Sequence, residues 1–150
     1  MIVGIRMAGA FLAHRIAERI HVLRGAAVEL GVLDVQGGGD TIPRWPATPG
    51  TEASSVTIAD RHVVIVDDVI NTGWTVKDAL AAVWRAGRPL SARLAVLVDR
   101  GHRQLPLKPV RRQAPADGAA RRVRVRLREL DREHRDRVVI YSYIDPKAAA

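Results

Sequence analysis

Residues 63–75 read VVIVDDVINTGWT, and this stretch decides the fold. The run from Val63 to Val69 is apolar apart from two acids near its end, which is typical of a strand at the centre of a parallel sheet. The turn at 71–73 leads into a helix, whose first backbone amides have no partner within the helix. Those amides and the helix dipole together attract anions. The stretch therefore predicts an anion site at the carboxyl end of a buried strand.

The two acids, Asp67 and Asp68, indicate what else such an anion would carry. Carboxylates beside a bound phosphate repel it unless they accept hydrogen bonds from hydroxyl groups of the same ligand. A ribose 5-phosphate has that layout, with its phosphate on the amides and its vicinal hydroxyls on the acids. Gly73 permits close approach of the backbone, and Thr72 and Thr75 add hydroxyl donors. The pattern favours a ribose 5-phosphate ligand over the alternative, a strand end with capping acids and an ordinary helix cap.

Outward from this stretch, apolar periodicity predicts two helices and five further strands. The helices are Gly9–Leu23, with Leu12, Ile16, Ile20 and Leu23 facing inward, and a second one ending at Gly87, with Val76, Leu80, Val83 and Trp84 facing inward. The further strands are Met1–Ile5, Val28–Val35, Ala92–Val98, Val123–Leu127 and Val138–Ile144. This order predicts a single α/β domain over residues 1–150. Its sheet is open, twisted and mostly parallel, flanked by helices, and a C-terminal antiparallel hairpin follows it.

Two long segments interrupt the pattern. Residues 36–61 contain three consecutive glycines and three prolines, and such long loops in compact domains are uncommon unless they act as lids. The sequence therefore predicts a flexible lid there. A second loop is expected from Asp99 to about Arg121.

The composition narrows the class of protein. Apolar residues make up 47% and charged residues 27%, which is typical of a globular domain, and there is no Cys to form disulfides or thiolate metal sites. No segment approaches the ~18 consecutive apolar residues that a membrane span needs. The expectation is a soluble cytoplasmic protein.

Charge is concentrated in one region. Residues 100–137 hold 13 basic and 5 acidic side chains, whereas the net charge of the whole chain is +8. Such a region would capture polyanions. The alternative is a solvated arginine-rich face.

The 63–75 stretch resembles the phosphoribosyl-diphosphate signature of type I phosphoribosyltransferases. The similarity extends to the PyrR-type family of bifunctional pyrimidine-operon regulators and uracil phosphoribosyltransferases. It includes IVGIR at 2–6, LAHRIAERI at 12–20, LDV at 33–35, GRP at 87–89 and LAVLVDRGHRQLP at 94–106. The last string is the most specific to this family.

The resemblance implies transfer of phosphoribosyl to uracil, giving UMP and pyrophosphate with Mg²⁺, and binding to pyrimidine-operon mRNA. It implies catalytic roles for Asp67, Asp68 and Arg6, and binding of phosphoribosyl diphosphate by Asp67, Asp68, Val69, Asn71, Thr72, Gly73, Trp74, Thr75, Arg6 and Gly9. Arg6 and Gly9 would lie in the pyrophosphate loop. The base would meet Val98, Asp99, Arg100 and Gly101, and the RNA would meet Arg100, His102, Arg103, Arg111 and Arg112. No metal ligand is assigned, because the substrate would carry Mg²⁺; a homo-oligomer, expected to be a dimer, is also implied.

Several positions depart from the family pattern. Met7 and Ala8 stand where the family usually has Thr-Arg, Gly37–Asp40 where its lid has Tyr-Arg-Asp-Asp, and Trp74 where Arg is common. Family members also generally begin with a helical segment before the first strand. Loss of charge-assisted hydrogen bonds, at ~1.5–3 kcal/mol each, would slow turnover more than binding. An alternative is therefore a catalytically weak nucleotide-sensing regulator that binds RNA.

Overall fold

The computed structural model describes residues 1–35, 42, 55–113, 121–132 and 134–142. Within these ranges the chain forms three helices and seven strands. In chain order they are β1 (Ile2–Ile5), α1 (Ala8–Arg24), β2 (Leu30–Leu33), β3 (His62–Ile70), α2 (Trp74–Ala86), β4 (Ser91–Asp99), β5 (Arg111–Gln113), β6 (Arg121–Arg126), α3 (Arg128–Asp131) and β7 (Arg137–Ser142).

Five strands form one parallel sheet in the order β2-β1-β3-β4-β5. The strand with the signature, β3, is central, as its apolar run predicts. β6 and β7 pair antiparallel as a separate hairpin. The predicted fold class is therefore confirmed. Because all five strands of the large sheet run the same way, their carboxyl ends share one edge, where ligands of such sheets bind.

Both faces of the sheet are covered. On one face, Val76, Ala79 and Val83 of α2 join a core cluster with Ile65 of β3 and Val3 of β1. On the other face, Ala13 and Ala17 of α1 pack in a second cluster. This double coverage explains why Val63–Val66 of β3 are apolar at successive positions and do not alternate.

The inner face of α1 differs from the prediction. The residues that α1 buries are small ones, Gly9, Ala10, Ala13 and Ala17. Ile16 and Leu23, predicted to face inward, are 39% and 66% exposed. The reason is close packing: a Cβ on Gly4 of β1 would lie 2.5 Å from the Cα of Ala10. At that separation only small side chains fit between the helix and the sheet.

Trp84 of α2 was also predicted to face the core, and this was wrong. Its side chain is 51% exposed, whereas Ala79 and Ala82 are buried. The buried residues of α2 are Val76, Ala79, Ala82 and Val83, so its buried stripe leaves Trp84 on the outer side. Leu80 packs at the edge of that cluster.

The two predicted loops contain more order than expected. β5 lies inside the segment predicted to be a loop from Asp99 to about Arg121, and it adds the fifth parallel strand. In the predicted lid over 36–61, Ile42, Val56 and Ile58 are buried in the core, and Val56 N donates to Ile42 O at 2.8 Å. The other lid residues before 55 lie outside the described part of the structure.

The hairpin is fastened to the body by apolar and ionic contacts. Val125 and Leu127 are buried with Val98 in a third cluster, against which Phe11 and Val69 pack. The guanidinium of Arg15 on α1 bonds both carboxylate oxygens of Glu129 and of Asp136, at 2.5–3.0 Å. α3 and the start of β7 are thereby held against α1.

None of the described helices is long and apolar enough to cross a membrane.

Candidate active site

Charged residues end four adjacent strands of the parallel sheet. Arg6 follows β1, Asp34 follows β2, Asp67 and Asp68 lie near the end of β3, and Asp99 ends β4. Since the strands are parallel, these side chains gather at the carboxyl edge. This edge is therefore the candidate site.

Asp67 is the most perturbed of these acids. Its side chain is buried, with 8% exposed. Burial raises the pKa of Asp67 to about 8, with a further contribution from the charge of Asp68. Asp68 N donates to Asp67 Oδ1 at 3.0 Å, and Val69 N donates to Asp68 Oδ1 at 2.9 Å. The two carboxylates thus satisfy the last amides of the strand and keep further lone pairs for a ligand.

The start of α2 has the properties of an anion site. The N-cap residue is Gly73, with φ of 94°, and no side chain caps the helix or places an acid in its first turn. The first i→i−4 hydrogen bond of α2 runs from Lys77 N to Gly73 O, at 2.9 Å. The amides of residues 74–76 therefore have no acceptor within the helix. Thr75 lies exposed in this turn, and Thr72 half-buried before it.

Gly73 is required here for two reasons. A positive φ of this size favours glycine, and a Cβ would lie 3.1 Å from Leu107 Cδ1. Leu107 belongs to the β4–β5 loop, which covers the turn. The sequence prediction that Gly73 permits close backbone approach is consistent with this geometry, although the group that approaches is a loop of the protein itself.

Trp74 and the β4–β5 loop are connected. Trp74 Nε1 donates to Gln104 Oε1 at 2.9 Å, and Gln104 N donates to Thr72 O at 2.9 Å. The Trp74 ring is 48% exposed, with Lys77 Nζ at 5.3 Å from its centre. The residue that replaces the usual Arg therefore anchors the neighbouring loop. Asn71 is exposed at the start of the turn.

The predicted pyrophosphate loop follows β1. Arg6 is exposed after β1, and its Nη1 lies 2.7 Å from Asp34 Oδ2. Gly9 lies in the first turn of α1, which begins at Ala8, and its part in binding pyrophosphate stays a prediction. Gly9 packs against β3, where a Cβ would lie 2.5 Å from Val66 O. It sets how closely α1 approaches Asp67.

The predicted base-binding segment lies at the end of β4. Val98 and Asp99 are buried, Arg100 is half-buried and Gly101 is exposed. Asp99 Oδ1 accepts from Gly101 N at 2.9 Å, and Asp99 Oδ2 lies 3.5 Å from Arg103 Nη2. The buried Asp99 carboxylate therefore fixes the backbone at Gly101 and the side chain of Arg103 relative to β4. Arg100 N donates to Ile70 O at 3.0 Å, which ties the segment to the end of β3.

The predicted RNA-binding residues are distributed over the same loop and β5. His102 is exposed, whereas Arg103 is half-buried and donates from Nη1 to Leu107 O. Arg111 and Arg112 lie in β5, and their side chains are outside the described part of the structure. Beside Arg103, a cavity of about 390 Å³ is lined by Gly101, Leu105 to Pro109 and Arg103 itself. Among the described residues, no group of three or more His, Cys, Asp or Glu could hold a metal.

Sequence reasoning missed two residues of the site. Asp34 pairs with Arg6, and Gln104 joins the loop to Trp74 and Thr72. Asp34 carried a usable signal, because it ends a predicted parallel strand whose neighbour ends in Arg6. Gln104 carried none, since its contacts depend on how a long loop folds back.

Comparison with known proteins agrees with this geometry. Residues 1–125 match the phosphoribosyl transferase domain family. The Bifunctional protein PyrR of Pelotomaculum thermopropionicum is 43% identical over 145 residues, covering 93% of this chain and 78% of that protein. Bifunctional protein PyrR 2 of Lactiplantibacillus plantarum is 39% identical over 134 residues, covering 87% and 76%.

A solved structure supports the fold. Hypoxanthine phosphoribosyltransferase of Trypanosoma cruzi, in complex with the product IMP, matches with a TM-score of 0.59 at 19% identity, covering 95% of this chain and 74% of that one. The resemblance found in the sequence is confirmed, and the chain belongs to the PyrR family of phosphoribosyl transferase domain proteins.

Proposed function

We propose that this protein transfers phosphoribosyl from 5-phosphoribosyl-1-diphosphate to uracil, giving UMP and pyrophosphate, and that it regulates pyrimidine-operon transcription by binding mRNA. One observation carries the proposal. A pair of acids at the end of β3, with Asp67 buried and Asp68 half-buried, stands before the uncapped start of α2, in a chain that belongs to the PyrR family.

The 5-phosphate would bind at the start of α2. The free amides of residues 74–76, the dipole of α2 and the hydroxyls of Thr72 and Thr75 converge on this point. The stretch 63–75 contains no Lys or Arg. Binding therefore depends on fixed backbone groups, which hold one phosphate in one orientation.

The ribose would lie against Asp67 and Asp68. Ionised carboxylates accept hydrogen bonds from vicinal hydroxyls, and these bonds strengthen as positive charge develops on the sugar ring. The raised pKa of Asp67 means that it loses its proton only near pH 8, or when a ligand stabilises its charge. The acids thus position the reacting carbon and stabilise an oxocarbenium-like transition state.

The pyrophosphate would leave toward Arg6, whose guanidinium lies at the same edge. Mg²⁺ would arrive on the diphosphate oxygens, and Asp67 and Asp68 would offer it carboxylate oxygens at the same edge of the sheet. Mg²⁺ bound in this way would neutralise charge on the leaving group. Met7 and Ala8 add no charge there, so Arg6 alone supplies the cation of the loop.

The base would meet the segment 98–101. Because Asp99 is bonded within this segment, its backbone groups are fixed in position. Fixed donors and acceptors suit recognition of a planar base by its edge. Uracil is proposed as that base from the family; a purine would be the contrary outcome.

The alternative, a regulator without turnover, is not favoured. Relatives that share 39–43% identity are named bifunctional, and the acids and the helix start of the site are intact. The RNA would bind through the 100–112 segment, where phosphate contacts supply affinity and unpaired bases supply specificity.

An assay with uracil, phosphoribosyl diphosphate and Mg²⁺ tests the enzymatic half. The native protein is expected to form UMP. The double variant Asp67→Asn/Asp68→Asn is expected to form it at least a hundredfold more slowly, which corresponds to a loss of about 2.7 kcal/mol of transition-state stabilisation. Asp60→Asn/Asp78→Asn is the matched control, because it makes the same two chemical changes at exposed acids. No UMP from the native protein would reject the proposal.

RNA binding is tested by isotherms with pyrimidine-operon leader RNA at several salt concentrations. The expected result is binding that weakens steeply as salt rises. No binding at low salt would remove the regulatory half and leave the enzymatic half standing.

A further inference from the structure

The hairpin carries a basic surface that the proposed site does not use. In its register, Arg122 lies opposite Tyr141, and Arg126 lies opposite Arg137. Residues directly opposite in an antiparallel pair point to the same side, as do alternate residues of one strand. Four arginines and one tyrosine therefore share a side, here called the cationic hairpin face: Arg122, Arg124, Arg126, Arg137 and Tyr141.

This face points away from the core. The alternate residues of β6 supply the buried side, where Val125 packs in the third apolar cluster with Val98. Arg122 and Arg124 are exposed. The apolar side fixes the hairpin on the body, so the position of the arginines is set by the fold.

The acids near the hairpin are already engaged. Glu129 and Asp136 bond Arg15 of α1. Asp131 accepts from Leu127 N at 2.9 Å and lies 3.4 Å from Arg126 Nη1. Residues 121–142 hold 8 basic and 4 acidic side chains. The described acids therefore leave the charges of Arg122 and Arg124 for another molecule.

Tyr141 places an aromatic ring among these charges. The ring is 40% exposed, and its hydroxyl accepts from Arg126 Nη2 at 3.2 Å. This hydrogen bond, with the nearby charges of Arg124 and Arg137, lowers the pKa of Tyr141. The hydroxyl is thus held in place, and a side of the ring remains open.

We propose that the cationic hairpin face binds single-stranded RNA. Alternate strand residues lie about 6.8 Å apart, comparable to the spacing of successive phosphates along an extended strand of RNA. Arginine forks match phosphate oxygens, and an exposed ring is a platform for base stacking. This inference takes its partner class from the proposed function, but it depends on residues outside the 100–112 segment.

The test uses the double variant Arg122→Gln/Arg124→Gln and a fluorescently labelled single-stranded RNA. The RNA is long enough to reach both the 100–112 segment and the cationic hairpin face. The log–log dependence of affinity on salt is expected to become shallower by about 1.4, because each lost phosphate contact contributes ~0.7. Arg19→Gln/Arg24→Gln on exposed positions of α1 is the matched control for net charge and is expected to keep the native slope. Equal slopes for the two double variants would overturn the inference.

Tyr141 provides a second readout. Tyr141→Ala is expected to weaken binding roughly tenfold through loss of stacking, whereas Tyr141→Phe keeps the ring and is expected to stay within about twofold. Unchanged circular dichroism melting of each variant excludes loss of the fold. Binding through Arg122 and Arg124 to phosphatidylserine vesicles in place of RNA would also overturn the inference. If the native protein binds no RNA, both this inference and the regulatory half of the proposed function fail. If the native protein binds RNA and the hairpin variants bind it equally well, only this inference fails.

Discussion

The start of α2 and the cationic hairpin face are the two places in this chain where we propose that phosphate binds, and they differ in what they offer it. The stretch 63–75 has no Lys or Arg and offers backbone amides, a helix dipole and hydroxyls. The hairpin face offers four arginines on a two-stranded platform. The first places donors at fixed points, and the second places charges along two paired strands, where Arg126 is also bonded to Tyr141 and paired with Asp131.

This difference has a physical consequence. Amides fixed by a helix lose little entropy on binding and recognise the shape of one phosphate group. Long arginine side chains are screened by salt and accept many phosphate arrangements. The proposed sites therefore differ in kind: the start of α2 suits a small ligand of defined shape, and the hairpin face suits a charged polymer.

The largest effect is expected from Gly73→Ala, which attacks the geometric site. The new Cβ meets a φ of 94° and a contact of 3.1 Å with Leu107, so the turn has to move. kcat/KM is expected to fall by about a hundredfold, which corresponds to a rise of about 2.7 kcal/mol in the activation free energy. Gly25→Ala is the control: it has a φ of 65° and nothing within 4 Å of the added Cβ. Equal activity of the two variants would show that the amides need no defined geometry.

A moderate effect is expected from pH, through Asp67. Its pKa is raised to about 8 in the folded chain, against ~3.9 when unfolded. Between these values the folded state keeps a proton that the unfolded state has lost. The free energy of unfolding should therefore fall as pH rises from about 4 to about 8, by on the order of a few kcal/mol at most.

Asp67→Asn removes this titration. Denaturant unfolding across the same pH range should give a flatter profile for the variant than for the native protein. Identical slopes would mean that Asp67 is ionised in the folded chain, and that its burial does not shift its titration.

The smallest effect is expected from the clamp that holds the hairpin. Arg15 bonds Glu129 through Nε and Nη2 and Asp136 through Nη1 and Nη2, and Arg15→Lys cannot reproduce that geometry. Thermal unfolding should shift down by roughly a few degrees. The Arg15 partner lowers the pKa of Asp136 to about 2, so this stabilisation is present above pH 4 and is lost as pH falls through about 2. A variant that melts like the native protein would show that apolar packing alone holds the hairpin.

Much of the fold could be predicted from the sequence, because β3 and α2 have patterns set by local physics. An apolar run, two acids and a glycine turn allow few other structures. The inner faces of the helices could not be predicted as well. α1 uses Ala13 and Ala17 where the larger Ile16 and Leu23 were expected, since hydrophobicity alone does not reveal how closely a helix approaches its sheet.

The site shows the same division. Asp67, Asp68 and Gly73 lie where the motif placed them, because one strand and one turn position all three. Gln104 was missed, because its contact with Trp74 crosses 30 residues and depends on a loop without periodicity. β5 was missed for a similar reason, since a strand of three residues is too short for a pattern.

The most direct test of the central claim is a titration of the ¹⁵N-labelled protein with ribose 5-phosphate, followed by amide resonances. The expected result is a saturable shift of the amides of Gly73, Trp74 and Thr75, with weaker binding in Asp67→Asn/Asp68→Asn. Shifts confined to the cationic hairpin face or to the 101–109 loop, with the amides of α2 unmoved, would contradict the account.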